Sequence, residues 1–353
     1  MRRQCHWLGI WTSVWSFACA PPSLNRIEDG HLTYEYSDGL APCGGTPAYL
    51  RRSAMFVAEH LGAPSPRPAR FSWLSTEDRN QLPGRPTDHA DVAVGAHAKS
   101  YKPYEQHELV HVSITKASAP FFVEGLAVAF GPLANEASSL HPLGVPEDPR
   151  PKIAAWPVAA ADYSTAGRFV QYLLALHGPE AFMAFYVALG PPWNKASIEA
   201  RFESEFGTSL DEEVALFMDR GGYPENCVFD VQPMDCGAPP LAPEGNVWGL
   251  SRVLSCESDD VVGGEGADLL WRNFIVRTVD IDQEGDYRLS AFGDSGGGVR
   301  LAACFGCPWG RQETFTEAST ESTTHLLEGR YYVRMSAYPG EALDVGFVLQ
   351  RTT

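Results

Sequence analysis

The sequence predicts two units of different fold class, a mixed α+β domain over residues 21–222 and an all-β sandwich over residues 223–353. Helical periods with glycine stops fill the stretch before Gly222, and short alternating runs separated by turn residues fill the stretch after it. Between them, Gly221-Gly222-Tyr223-Pro224-Glu225-Asn226-Cys227 punctuates the change. The chain has 353 residues, beyond the ~250–300 at which single cores stop growing. Its composition, 44% hydrophobic and 20% charged, is that of a globular protein. A net charge of -17 repels phosphate backbones and anionic lipid, which argues against nucleic acid as a partner.

Met1-Arg2-Arg3-Gln4-Cys5-His6 is a short basic start, followed by an apolar run over residues 7–18 and then small residues. The run is too short to span a bilayer, and residues 1–20 read as an export signal lying outside the fold. Cys19 after Ala18 fits the lipidated cysteine of a bacterial lipoprotein, although Ser16 stands where Leu is usual. Simple secretion, with a cut near Ala18 or Ala20, fits equally well. No other stretch approaches the ~20 apolar residues of a membrane helix, so no transmembrane helix is expected.

Of eight cysteines, Cys5 leaves with the signal and Cys19 stands at its boundary. An even set, Cys43, Cys227, Cys236, Cys256, Cys304 and Cys307, remains in an exported chain and predicts disulfides of undetermined pairing. Because all but Cys43 lie beyond Gly222, Cys43 is expected to lack a partner in its own unit and to leave an odd cysteine in the other. Cys304-Phe305-Gly306-Cys307 has the spacing of half a zinc site or of a redox pair. With no second pair and no thioredoxin-like context, a disulfide role is the better reading.

Residues 31–36 alternate as a strand, and residues 46–61 read as a helix closed by Gly62. A Pro-rich joint over 63–70 precedes strands at 70–74 and 91–98. Gly95 and Ala96 in the last strand would allow another chain to approach, although a tolerated glycine in an ordinary strand reads as well.

Next comes Tyr104-Glu105-Gln106-His107-Glu108-Leu109-Val110-His111-Val112-Ser113-Ile114. On a helix, His107 and His111 lie one turn apart on one face and can reach a single metal ion. Glu108 beside them can take a proton from water on that ion, as zinc lowers the pKa of bound water to roughly 7. The competing reading is a helix with two ordinary histidines. Leu109, Val110, Val112 and Ile114 make the helix apolar enough to be buried, and a buried Glu108 is costly unless something pairs with it.

A catalytic zinc takes three protein ligands and keeps one position open. A third histidine in the extended H-E-x-x-H-x-x-G-x-x-H pattern is absent, since Ile114 and Ala117 occupy the Gly and His positions. Glu124 is the third candidate. It follows Pro120, suited to a first helical turn, and sits in the apolar helix Pro120-Phe121-Phe122-Val123-Glu124-Gly125-Leu126-Ala127. Its competing role is that of a carboxylate favoured by the helix dipole.

These two stretches resemble the H-E-L-x-H … P-x-W-x-x-E-G-x-A pattern of the gluzincin metallopeptidases, the thermolysin-like superfamily, in its short-spacing bacterial branch. Tyr163-Ser164-Thr165-Ala166-Gly167-Arg168-Phe169-Val170-Gln171-Tyr172-Leu173 is similar to the Y-x-x-A-G-x-F-x-x-Y-L helix that follows in such proteins. The resemblance covers residues 31–220. Phe122 stands where Trp is commoner, and the Asp that supports a ligand histidine in thermolysin itself has no clear counterpart after Glu124. The resemblance implies a mixed upper half with active-site helices, a helical lower half, and an edge strand before the metal helix onto which an extended peptide pairs.

A Pro-rich loop over 131–157, with His141 in it, is long enough to rim a cleft. Helices follow at 164–177, 179–189, 194–206 and 210–220, with Gly178, Gly190, Gly207 and Gly221 as left-handed stops. Such sites need a second electrophile that donates to the oxyanion. Tyr163 is the candidate, with Tyr172, His177 and a purely packing role for Tyr163 as competitors.

In the second unit, strand-like runs at 247–254, 271–279, 287–292, 299–303, 331–336 and 345–349 suggest a β-sandwich of ~120 residues. Its G-x-Y-x-V turns look like domains appended to secreted bacterial peptidases. Asp280, Asp282, Glu284 and Asp286 could offer oxygens to Ca2+, but the Gly and closing Glu of an EF-hand are missing, and a solvated face is the alternative.

The expectation is a secreted or lipid-anchored zinc metallopeptidase, an endopeptidase acting on peptide or protein substrate. His107, His111 and Glu124 hold Zn2+, Glu108 is the base, and Tyr163 assists. The alternative is a non-catalytic surface binding protein with a structural or vestigial zinc site.

Overall fold

The computed structural model describes residues 23–62, 68–80, 92–114, 118–131, 147–155, 162–219, 234–266, 272–305, 313–340 and 342–352. The export signal with Cys5 and Cys19, His141, Cys227, Cys307 and the expected boundary at 222 lie outside them.

Helices and several sheets make up the chain, with a β-sandwich at its C-terminal end. The N-terminal part opens with β1 (Leu24–Asp29), β2 (Leu32–Ser37) and β3 (Ala41–Pro42), then α1 (Thr46–His60), β4 (Ala69–Trp73), α2 (Thr76–Asn80), β5 (Val92–Val94) and β6 (His97–Ser100). Five of these strands form one mixed sheet in the order β1-β2-β4-β6-β5, with parallel pairing of β2, β4 and β6 and antiparallel edges. Alternation along β2 and β4 turns Leu32, Tyr34, Phe71 and Trp73 to one face, where they share a core with Tyr49 and Leu50 of α1 and with Leu109 and Val112.

The expected single strand at 91–98 is instead a hairpin. Gly95, at φ +60, lies between β5 and β6, so Gly95 and Ala96 form the turn and do not line an open edge. The edge is β5. Strand β1 was not expected; none of its residues is fully buried and Asn25, Arg26 and Glu28 are exposed, which erases the hydrophobic signal.

Next follow α3 (Gln106–Ser113), α4 (Pro120–Phe130), α5 (Tyr163–Ala188), α6 (Lys195–Phe206) and α7 (Leu210–Asp219). Apolar faces of α4 to α7 meet in an aromatic core that holds Phe121, Phe122, Phe169, Phe182, Phe185, Phe202 and Phe217. Phe122 is fully buried and stands edge-on to Phe185 at 4.9 Å. Gly207 stops α6 in the left-handed region as expected, and Asn194 caps its start by accepting from Ser197 N. Gly178 leaves helical geometry inside α5, at φ 80 and ψ 162, dividing it into two stretches. Gly190 differs: it is not a left-handed cap, and Leu189 N bonds back to Phe185 O instead.

The C-terminal part holds β7 (Val247–Leu254), β8 (Gly264–Glu265), β9 (Asn273–Ile281), β10 (Gly285–Gly293), β11 (Gly298–Ala303), β12 (Glu313–Glu317), β13 (Thr320–Leu326), β14 (Gly329–Ala337) and β15 (Leu343–Arg351). Two antiparallel sheets, β13-β10-β15-β7 and β12-β11-β14-β9, enclose Ile275, Leu289, Val299, Leu301, Val333 and Phe347. All six expected runs are strands. β12 and β13 add two more, one in each sheet, and the turn that carries the chain from one sheet to the other holds Ser319 at φ 67.

The two parts are not joined end to end. β3 pairs with β8, and Cys43, expected to lack a partner within its own unit, finds one in the other, being bonded to Cys256. Cys304 pairs with Cys236. Val262 and Phe274 of the C-terminal part belong to the same buried cluster as Tyr34 and Trp73. The two disulfides accord with an oxidising compartment, and no helix among the described residues is long and apolar enough to cross a membrane.

Candidate metal centre

Local sequence sets the start of α3. Glu105 is extended, at φ -140 and ψ 102, and its side chain accepts from His107 N at 3.2 Å, satisfying one of the helix's free amides. Lys102, buried with it, pairs with the same carboxylate. The segment before the helix is pinned to the sheet: Tyr34 Oη donates to Pro103 O at 2.7 Å and Trp73 Nε1 to Tyr101 O at 3.0 Å.

Glycines bring the neighbouring helices close. A Cβ on Gly125 would lie 2.6 Å from Ala166 O, and one on Gly167 would lie 2.4 Å from Val128 Cγ1, so α4 and α5 touch backbone to side chain at this crossing. A Cβ on Gly131, just past α4, would lie 2.5 Å from His107 N. These three contacts seat α4 between α3 and α5 and carry Glu124 to the histidines.

The three expected ligands meet there. Glu124 Oε2 is 3.2 Å from His107 Nε2 and 3.5 Å from His111 Nε2, and the two Nε2 atoms are 3.3 Å apart. A tetrahedral ion with bonds of about 2.0–2.1 Å separates its donor atoms by about 3.3–3.4 Å, and the three edges, 3.2, 3.3 and 3.5 Å, come within about 0.1 Å of that range. Glu108 brings a second carboxylate within 4.8 Å of both histidines. Of the two acids, Glu124 has the closer spacing to both imidazoles, and Glu108 lies beside the triangle.

The electrostatics point the same way. Burial alone would raise Glu124, but hydrogen bonds from His107 and His111 hold it down at about 2. Burial would lower His107, yet the hydrogen bond to Glu124 and the charges of Glu108, Glu124 and Glu105 leave it raised. Glu105 is neutralised by Lys102, so two further carboxylates face two imidazoles, a balance that suits a dication. His107 Nδ1 is buried and has no hydrogen-bond partner among the described residues.

Of the electrophile candidates, Tyr163 reaches the site. Its ring stacks on His107 at 5.8 Å and 9°, and its hydroxyl hydrogen-bonds Glu124. Burial, followed by the Glu124 charge, pushes that hydroxyl well up, so it stays a donor at any ordinary pH. Tyr172 and His177 lie elsewhere, against Glu213 of α7 at 2.8 and 3.5 Å. Tyr186, Lys102 and Glu105 were not singled out from the sequence. Tyr186 is buried near Glu124, whose charge adds to burial in raising its hydroxyl. Glu is not a favoured cap, so nothing marked Glu105.

Two other clusters lack the arrangement for chemistry. Ser72 Oγ lies 2.9 Å from Glu35 Oε2 and 2.7 Å from His97 Nε2. A carboxylate only accepts, so the serine proton goes to Glu35 and the imidazole donates, leaving no base to activate a nucleophile. In the proposed calcium stretch, Arg330 forks onto Asp280, while Glu284 and Asp286 bond opposite nitrogens of His325. The two acids that meet His325 are therefore on opposite sides of its ring.

No protein-family model matches this chain, and no curated protein matches it. Solved structures give low-scoring likenesses. The pre-peptidase C-terminal domain of a collagenase from Bacillus anthracis is 14% identical over 30% of this chain and 87% of that one, with a TM-score of 0.20. PliG, a periplasmic inhibitor of g-type lysozyme from Aeromonas hydrophila, is 13% identical over 33% and 95%, at 0.23. A carbohydrate-binding module solved with β-1,4-galactotriose is 16% identical over 37% and 98%, at 0.17. At these scores none of them bears on the site or its chemistry.

Proposed function

We propose that this chain is an exported zinc-dependent peptidase of the gluzincin type, with His107, His111 and Glu124 as ligands. The observation that carries the reading is the triangle of 3.2, 3.3 and 3.5 Å between their donor atoms, with a fourth acid, Glu108, beside it. Zinc bound there supplies a Lewis acid and lowers the pKa of a water to about 7. Glu108 takes the proton of the attacking water and delivers it to the leaving amine. Tyr163, held in its donor state, hydrogen-bonds the oxygen on which charge develops. β5, an outer strand of the mixed sheet, offers main-chain groups to an extended peptide, and Val94 on it is 67% exposed.

The test joins metal analysis to one substitution. Purified protein should hold about one zinc per chain and cleave casein, and Glu108→Gln should keep the zinc while losing at least roughly 100-fold in rate. A Glu108→Gln protein that cleaves at the parent rate would sink the role of Glu108. Zinc retained by a parent that cleaves nothing in a diverse peptide library would favour the surface-binding reading.

A further inference from the structure

One buried polar chain runs out of the candidate centre and ends in the sandwich. Gln106, the first residue of α3 and neighbour of His107, donates from Nε2 to Tyr49 Oη at 3.1 Å. Tyr49 Oη donates to Asp235 Oδ1 at 3.2 Å, and Arg334 pairs with the other oxygen of Asp235. Arg334 Nη2 also lies 3.5 Å from Tyr49 Oη. Tyr49, Gln106 and Asp235 are buried, at 3%, 7% and 7% exposed, and the Arg334 side chain is 12% exposed.

Donor and acceptor inventory fixes the direction of every bond. The Asp235 carboxylate can only accept, so the single tyrosine proton goes to it, and the tyrosine oxygen is left to accept from Gln106. Arg334 pairs with the Asp235 carboxylate, so neither charge is buried alone. A chain with one permitted polarity cannot slip to an alternative pattern, which makes it a positional constraint on its ends.

The far end of this chain is tied into the sandwich. Arg334 is on β14, inside a sheet, and its guanidinium lies 4.3 Å from the Phe274 ring on β9. Asp235 sits in the short 3-10 turn Met234–Gly237, and its neighbour Cys236 is bonded to Cys304. Phe274 meets Tyr49 and Tyr104 edge-on at 5.4 and 5.1 Å, and Tyr104 Oη donates to Arg272 O at 2.9 Å. Both sides of the α3 entrance are thus held by the sandwich.

We infer that the C-terminal sandwich is part of the frame of the metal centre: the chain Arg334–Asp235–Tyr49–Gln106 positions the first turn of α3 and, through it, His107. These are positioning residues, and the assignment rests on the reading of His107, His111 and Glu124 as zinc ligands. It makes the sandwich a supporting partner of the site, where a separately appended module would leave the site indifferent to it.

The test uses the full chain. Tyr49→Phe removes the central hydroxyl and keeps the Arg334–Asp235 pair; Gln106→Met removes the amide at the other end with little change of shape. Tyr287→Phe is the control, since it deletes a sandwich hydroxyl bonded to Gln283 O at 2.7 Å that leads nowhere near α3. Zinc affinity is measured by chelator competition, casein cleavage as kcat and KM, and folding as the melting temperature of the metal-free form.

Tyr49→Phe and Gln106→Met should each weaken zinc binding or lower kcat by roughly 10-fold or more, the range for supporting contacts of metal ligands, with KM unchanged. The double variant should be no worse than the single ones, as members of one chain are not additive. Tyr287→Phe should change neither quantity. Zinc affinity and kcat equal to the parent in both variants would overturn the inference and leave the metal reading standing. Losses that follow melting temperature alike in all three variants would overturn it too, as general packing. A parent that binds no zinc would remove the metal reading itself, and this inference with it.

Discussion

Glu124 and His107 face each other at 3.2 Å, and in the metal-free protein this pair makes stability depend on pH in a definite sense. Glu124 is lowered from 4.5 to about 2, so its contribution is present above about 4.5 and is lost as pH falls through about 2. His107 is raised from 6.5, so its contribution is complete below 6.5 and is lost as pH rises through the raised value. The pair therefore contributes most between about 4.5 and 6.5. The melting-temperature gap between metal-free parent and metal-free Glu124→Gln should be widest in that window and shrink by pH 8; a gap that widens at pH 8 contradicts the assignment. Zinc should reverse the trend, because imidazoles bind it only when deprotonated. At this scale the sequence was informative: the spacing of His107 and His111 and the acid after Pro120 were enough to nominate every residue of the triangle. Tyr163 was nominated among three candidates, and packing separated them, since Tyr172 and His177 turn to Glu213. Tyr49 and Asp235 carried no such mark, as a lone Tyr and Asp 186 positions apart match no local pattern.

Among elements, the crossing of α4 and α5 decides where Glu124 stands. Gly125→Ala places a methyl 2.6 Å from both Ala166 O and Val170 Cγ2, one of them backbone that cannot swing away. The helices must separate, at a cost of about 1–3 kcal/mol. Glu124, the preceding residue, should move with its helix, so zinc affinity should fall along with the melting temperature. An Ala variant with parental values of both would mean that the crossing has slack. Helix ends and most strands were legible, since Gly62 and Gly207 mark real stops and alternation marks β2, β4, β7, β9 and β14. β12 and β13 were not, because Glu313–Glu317 and Thr320–Leu326 are polar on nearly every position and bury one residue each. The hairpin at Gly95 was hidden for a different reason: each arm is so short that the two read as one alternating run.

Across the whole molecule, the sequence suggests two units in series, whereas the structure interleaves them. Gly44 and Gly45 pack so tightly on the 258–261 loop that added Cβ atoms would lie 2.8 and 2.9 Å from its backbone. Cys43 N, Gly44 N and Gly45 N all donate to carbonyls of residues 256–263. Contacts at a separation of 213 residues leave no trace in local periodicity, which is why composition drew a boundary that the packing crosses. Replacing Cys43 and Cys256 together by Ser should cost roughly 2–5 kcal/mol and lower the melting temperature of the full chain. If the melting temperature is unchanged, the interleaved contacts hold without the bond. That bond also bears on inheritance. A recombination event that exchanged the C-terminal half for an unrelated module would orphan a thiol, strip Trp73 and Tyr49 of their cover, and leave the N-terminal half unsupported, so the two halves are expected to be transmitted together.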